Sequence, residues 1–154
     1  MRDFSILRCA NRCRYSCFVR PYWLVGVAIL VAACTSSPVP SSSAKPIPAG
    51  RIRAPEFTRP QAGFALVVVT RDRSLAVLAC TAHLHVDGTL VADLRPREQI
   101  RLFLEEGQHL IGVSAANCIG GADQISIDVS RAKPVLLRIA AVNGYDLTIE
   151  LSAF

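Results

Sequence analysis

Residues 82–92 read Ala82-His83-Leu84-His85-Val86-Asp87-Gly88-Thr89-Leu90-Val91-Ala92, and this stretch decides the fold of the chain. Apolar residues alternate with His83 and His85 up to Asp87-Gly88, and the apolar pattern resumes after that pair. Alternation of period two indicates a strand with one buried face, and Asp-Gly between two such runs is typical of a type I′ hairpin. The sequence therefore predicts a β-hairpin over residues 82–94.

Runs of the same kind surround this hairpin. Residues 64–70 are apolar and β-branched on both faces, which favours a central strand. Further short runs cover residues 100–104, 108–113, 125–129, 135–141 and 147–151, with turn signals such as Glu106-Gly107 and Asn143-Gly144 between them. No stretch shows apolar residues at helical spacing over about 10 residues or more. We therefore expect residues 63–154 to be an all-β domain, a small antiparallel β-sandwich of seven or eight strands.

Residues 1–33 have the composition of a secretory leader. They contain five arginines and one acid, and they end in an apolar run from Trp23 to Ala33. A run of about 11 residues is too short to cross a bilayer, which needs about 20, but it suits the apolar part of a signal peptide. Beyond residue 33 the chain holds 12 basic and 11 acidic residues. A nearly neutral body lacks the basic surface of a nucleic-acid binder, so no nucleic-acid partner is expected.

The leader ends in Val31-Ala32-Ala33-Cys34, which resembles the bacterial lipobox. The resemblance implies a bacterial lipoprotein in which Cys34 is diacylated, residues 1–33 are removed and the new amino terminus is acylated. Two or more acyl chains are what stable membrane anchoring requires. Thr35 follows the cysteine in place of the aspartate that retains lipoproteins at the inner membrane. We therefore expect the outer membrane, on its periplasmic face.

Residues 34–62 are rich in proline and serine, since six of the nine prolines lie here. Such a composition favours extended chain over a packed core. We expect a disordered tether that begins at the lipidated cysteine, contributes no core residues and holds the domain away from the membrane. Arg51, Arg53 and Arg59 are expected to be solvated charges of this tether, with contact to anionic surfaces as the alternative.

Two segments of the domain, Leu84–Val91 (LHVDGTLV) and Leu104–Val113 (LEEGQHLIGV), are similar to PEGA-type domains. That family carries a V-D-G hairpin followed by L-x-P-G-x-H-x-L-x-V, and Glu106 stands here where the family has proline. The resemblance implies a small β domain of the kind found in uncharacterised envelope lipoproteins, and it implies little about activity. Some of these lipoproteins bear the name isopropylmalate dehydratase.

The cysteines argue against that dehydratase chemistry. It needs an iron–sulfur cluster held by three thiolates, and the mature chain offers only Cys80 and Cys118 besides Cys34. We therefore expect no cofactor. Two cysteines in an oxidising compartment predict a disulfide, with unpaired core thiols, or a redox or metal role, as the alternatives. Cys80 lies an even number of residues before Leu84 in an alternating pattern, so we expect Cys80 on the same buried face.

His83 and His85 lie on one face of a strand, about 7 Å apart at the backbone. This spacing suits two ligands of one Zn²⁺ or Cu²⁺, with His109 as the third imidazole; the alternative is an exposed sheet face that carries two imidazoles. Because Ser114 and the other serines lack a nucleophile motif, no enzyme is expected. The sequence favours an envelope lipoprotein with an interaction or structural role and an unknown protein partner. A metal-binding module is the second hypothesis.

Overall fold

The computed structural model describes residues 36–74, 79–118, 120–142 and 146–152. The strands are, in chain order, β1 Lys45–Pro46, β2 Ala65–Arg71, β3 Thr81–Val86, β4 Thr89–Leu94, β5 Glu98–Leu104, β6 Gly107–Ala116, β7 Ala122–Val129, β8 Val135–Val142 and β9 Asp146–Leu151. Two 3₁₀ turns, Ala49–Arg51 and Pro55–Thr58, precede β2. The predicted all-β sandwich is confirmed. Strands β2 to β9 are the eight predicted strands, and the very short β1 makes a ninth.

The strands form two sheets with the orders β1-β5-β2-β8-β9 and β4-β3-β6-β7. Most pairings are antiparallel, but β2 pairs with β8, and β1 with β5, in parallel. The sandwich is therefore antiparallel in most of its pairs, as predicted, and the two parallel pairs are a detail that the sequence did not predict. The parallel β2–β8 pair follows from the path of the chain. After β2 the chain leaves the first sheet, and the strands between β2 and β8 lie in both sheets. The chain then returns to the first sheet, where β8 lies beside β2 and runs in the same direction.

The core lies between the two sheets and follows the predicted alternation. In β3 the residues Ala82, Leu84 and Val86 are buried, while His83 and His85 are half-buried on the outer face. Strand β2 is buried along almost its whole length, as its continuous apolar sequence predicts. Residues 32–154 form one compact unit. This unit holds the whole described core, which is what an independently folding domain requires.

The turn residues explain how the strands connect. Asp87 and Gly88 have φ angles of 48° and 82°, and two positive φ angles are what a type I′ turn needs. The predicted hairpin is therefore confirmed. Gly107 has a φ of 134°, a conformation that residues with a side chain rarely adopt, and this glycine allows the chain to turn directly after Glu106. The predicted turn at Asn143-Gly144 lies outside the described residues.

Residues 36–62, called the strap below, begin over the outer face of β2 and β8 and then pack on the open side of the sandwich between β4 and β5. Ala44 and Ala54 are buried, and Ile47, Ile52 and Phe57 pack against the core. This corrects the expectation of a tether without core residues. Prolines keep the strap extended, and the apolar residues between them supply the contacts, so a chain without its own core still docks.

The strap runs from one end of the sandwich to the other. Near the start of the strap, Ser37 pairs with Arg73, just after β2. Near its end, Phe57 lies beside Phe103, close to the last residue of β5. We call the first end proximal; it holds the β4–β5 turn as well. The second end is called distal and holds the Asp87-Gly88 and Glu105-Glu106 turns. The strap thus connects both ends along one side.

Candidate functional site

The chain is fixed to the domain almost immediately after Cys34, which itself lies outside the described residues. The Ser37 N–H donates to the Arg73 carbonyl at 2.7 Å, and the Arg73 N–H donates back at 3.1 Å. The Val39 N–H donates to Asp72 Oδ1 at 3.0 Å. Two residues separate Cys34 from Ser37, so the span is about 11 Å at most. A lipid on Cys34 would lie very close to the proximal end.

Asp72 is the buried acid of this attachment. It is 3% exposed, and its Oδ2 accepts a hydrogen bond of 2.5 Å from Arg138 Nη2. Arg138 lies on β8 and also pairs with Glu150 of β9 at 3.3 Å. A buried carboxylate needs such a cation, because an unpaired buried charge is strongly destabilising. The first residues of the strap are therefore tied through Asp72 to the middle of the first sheet.

Two arginines of the strap also form ion pairs with the sandwich. Arg51 Nη1 donates to Glu98 Oε2 at 2.7 Å, and its Nη2 donates to the other carboxylate oxygen. Arg53 donates to Asp93 Oδ2 through Nε at 2.8 Å and through Nη2 at 2.5 Å. Both acceptor side chains are largely buried, at 14% and 7% exposure. The expectation that these two arginines are merely solvated is therefore corrected.

A bulge in β4 provides the backbone contact for the strap. The pairing of β3 with β4 shifts by one residue at Val91, and its carbonyl accepts the N–H groups of Arg53 and Ala54 at 2.7 and 3.2 Å. A bulge leaves a backbone group outside the regular ladder, and a covered edge strand is protected from unwanted pairing. The strap therefore closes the β4 edge with both main-chain and side-chain bonds.

The three histidines do not converge. His83 and His85 pair with Ser114 and Gly112 of β6, and direct partners in an antiparallel pair lie on the same face. Even-numbered positions of β6 therefore lie on the outer face, and His109 belongs to the opposite, inner face. Among the described residues no group of three His, Cys, Asp or Glu side chains is arranged to hold a metal ion.

His83 lies between Asp93, its partner in the β3–β4 hairpin, and Ser114 of the other neighbouring strand, β6. Its Nδ1 is 2.6 Å from Asp93 Oδ1, and Ser114 is its partner on the other neighbouring strand. Burial opposes ionisation of Asp93, but the hydrogen bonds from Arg53 and His83 outweigh it and hold its pKa below 3.8. The sequence analysis missed this row because only the strand register aligns it. Within the described residues no hydrogen bond joins Ser114 to His83.

His109 is held by two acceptors at the distal end. Its Nδ1 is 2.7 Å from Asp87 Oδ2 and its Nε2 is 3.0 Å from the Glu105 carbonyl. Only the doubly protonated ring can donate to both. Burial favours the neutral ring, but these bonds outweigh it, so the pKa of His109 is raised above 6.5. Burial likewise opposes ionisation of Asp87, whereas its bonds to His109 and the Leu110 N–H lower its pKa below 3.8.

We expect His109 to make the stability of the domain depend on pH. A raised folded-state pKa adds stability that is complete below the unfolded value of 6.5 and is lost as the pH rises through the folded value. His109→Ala should therefore cost about 1 kcal/mol at about pH 5.5 and less at about pH 8.5, discounted because Asp87 is half exposed. Urea unfolding at both pH values measures this, with His85→Ala as the control. An equal loss at both pH values would contradict the assignment.

Cys80 and Cys118 form a disulfide, with their Cα atoms 5.6 Å apart. The bond joins the residue before β3 to the segment after β6, next to the last backbone pair of these strands, Thr81 with Ala116. The prediction of a disulfide is confirmed, as is the inward position of Cys80, which is 4% exposed. Both domain thiols are consumed by this bond, so neither is available as a thiolate ligand.

A shallow groove lies beneath the start of the strap. It has a volume of about 340 Å³ and lies between Pro38–Ser41 and the outer side chains Val68, Leu136 and Arg138 of β2 and β8. Its apolar floor is the outer face of a central strand pair. The groove follows from the way the strap crosses this face, and it adds no titratable group to those already described.

Comparison with known proteins adds no relative. No family model, no curated protein and no solved structure matches the chain. In the part of the chain that the structure describes, no helix has the length and apolar character to span a membrane.

Proposed function

We propose that the chain is a lipid-anchored periplasmic protein of the bacterial outer membrane, with a non-enzymatic β-sandwich that has an interaction or structural role in the cell envelope. The observation that carries the proposal is the position of the lipobox. Only two residues separate Cys34 from Ser37, which is bonded to the domain, and the cysteine follows an apolar run too short to span a bilayer. Acylation at Cys34 would attach an already folded unit directly to the membrane.

The edge strands on the side opposite the strap support the interaction role. The strap covers β4, whereas β7 and β9 end their sheets side by side, joined by the bond from the Ile149 N–H to Asp123 at 2.9 Å. Leu151 of β9 is 62% exposed. An exposed edge strand can accept a strand from a partner. We propose that an envelope protein binds on this side.

The Zn²⁺ or Cu²⁺ module that the sequence suggested as a second hypothesis gains no support from the geometry. His109 lies on the opposite face from His83 and His85, and its two ring nitrogens already face the Asp87 carboxylate and the Glu105 carbonyl. A metal ligand must be a neutral imidazole with a free nitrogen, which the surroundings of His109 disfavour.

Cys34→Ser should abolish acylation. The wild-type protein is expected to incorporate an alkyne fatty-acid probe, and the variant is expected to incorporate none, because only a thiol forms the thioether to the lipid. The full chain should be expressed in a bacterial host and the probe read on a gel, together with fractionation, since an uncleaved leader still holds the precursor at the inner membrane. Ser42→Ala is the control, because it changes an exposed residue close to the lipobox and leaves every cysteine in place.

Two results would contradict the proposal. Probe incorporation into Cys34→Ser protein would show that the lipid is carried elsewhere. Labelling of Ser114 by a fluorophosphonate would contradict the non-enzymatic role, because such probes react with serines activated by a neighbouring histidine. The row of Asp93, His83 and Ser114 makes this the sharpest test for hidden hydrolytic chemistry.

A further inference from the structure

We infer that the proximal end of the sandwich docks directly on anionic lipid headgroups and that the strap holds it there, rather than suspending the domain from a long tether. The inference rests on the proposed lipid anchor at Cys34. It names the surface that faces the membrane and the chemistry of its partner, a bilayer with negatively charged headgroups.

The first support is the length of free chain. Ser37 is already bonded to Arg73, and Val39 to Asp72. The segment from Cys34 to Ser37 therefore spans about 11 Å at most. An acyl chain buried in the bilayer leaves the cysteine at the headgroup level. The proximal end, where Ser37 is fixed, is then within a few ångströms of the lipid surface.

The second support is charge. Four basic residues are exposed at the proximal end, one in β1, one just after β2 and two in the β4–β5 turn. They are Lys45, Arg73, Arg95 and Arg97. In the described part of the chain none of the four forms an ion pair. Asp146 is exposed at this end too, at the start of β9, where it accepts the Gly121 N–H at 3.0 Å.

The distal end has the opposite balance. Its turns and the adjoining strand ends expose five acids and three basic residues, which are Glu56, Asp87, Glu105, Glu106 and Asp128 with Arg59, Arg131 and Lys133. Arg131 is also neutralised by Glu106, at 3.1 Å. A body that is almost neutral in total is therefore polarised between its two ends, with the positive end on the side where the proposed anchor joins the domain.

The backbone holds the proximal arginines in place. The Arg97 N–H donates to the Arg71 carbonyl at 3.0 Å, and the Lys45 N–H donates to the Arg97 carbonyl at 2.9 Å. Arg97 has a φ of 68°, a left-handed conformation that glycine or asparagine adopts at lower cost. These bonds fix the main chain of Arg97, and its exposed side chain adds a positive charge at this turn.

The test separates docking from acylation by using the mature chain without lipid, residues 34–154 with Cys34→Ser, which retains the whole described core. Its partition is measured by co-sedimentation with phosphatidylcholine vesicles that contain or lack phosphatidylglycerol. Binding should require phosphatidylglycerol and should disappear at about 1 M salt, where screening extends only about 3 Å. The triple variant Arg73→Gln, Arg95→Gln, Arg97→Gln should bind about 100-fold more weakly, since each basic residue contributes about fivefold.

The control is the distal triple Arg59→Gln, Arg131→Gln, Lys133→Gln, which changes the net charge by the same amount and should bind as the parent does. Equal losses in the two triples would overturn the inference, because binding would then follow net charge alone. Equal binding to vesicles with and without phosphatidylglycerol would overturn it as well. Fatty-acid labelling at Cys34 is read separately, so a failed lipid anchor and a failed docking surface give different results.

Discussion

Replacing Cys80 and Cys118 together by alanine should lower the free energy of unfolding by about 4 kcal/mol, because the disulfide closes a long loop in the unfolded chain. The two residues are separated by 38 positions. A loss of this size is a large part of the 5–15 kcal/mol typical of a domain. Urea unfolding of the two forms at one pH measures the difference.

Reduction of the wild-type protein provides the companion measurement. Dithiothreitol should bring the wild type to the stability of the double variant and should leave the double variant unchanged. The single variants are less suitable, because each leaves one thiol that can form intermolecular disulfides. Equal unfolding midpoints for oxidised and reduced wild type would show that the bond adds nothing to stability.

Arg71→Ala should cost about 3 to 5 kcal/mol. Arg71 is 1% exposed, and its Nη1 donates to the buried carbonyls of Cys80 and Leu94 at 2.9 and 2.6 Å. Truncation leaves a cavity and deprives both carbonyls of a donor. Burial lowers the pKa of Arg71 to about 10, against the opposing effect of Glu98, so the guanidinium is still charged at neutral pH.

A graded series separates the packing of Arg71 from its hydrogen bonds. Arg71→Met retains most of the side-chain volume and should lower the free energy of unfolding less than Arg71→Ala does. Arg101 is exposed on β5, so Arg101→Ala should change the free energy of unfolding by less than about 0.5 kcal/mol. Thermal unfolding of the three variants gives the order. If Arg71→Ala matched Arg101→Ala, the buried guanidinium would have no structural role.

The parts of the fold that the sequence predicted are those set by local pattern. The Asp87-Gly88 turn and the alternation around it follow from backbone preferences of a few neighbouring residues. The parallel pairing of Val67 with Val135 has no local signal, since nothing in either run selects its partner or its direction. Strand existence was therefore predictable, whereas strand order and direction depended on the whole topology.

The same distinction holds for the candidate site. Cys80 and Cys118 are the two cysteines that follow residue 34 in the sequence, so their pairing could be predicted by counting. The proline content of the strap correctly indicates extended chain, yet composition does not tell a solvated segment from a docked one. Docking depends on particular partners, such as Asp93 for Arg53 and Asp72 for Val39. These partners come together only after the sandwich has formed.

The parallel pair β2–β8 has a consequence for how the chain acquires its structure. It lies in the middle of its sheet and joins segments that are far apart in sequence, and long-range contacts of this kind slow folding to milliseconds or seconds. Until β8 arrives, β2 presents an unpaired and strongly apolar edge. The unfinished protein is therefore most prone to aggregation just before this closure. Any help from a chaperone would be needed at that moment rather than during formation of the early hairpins.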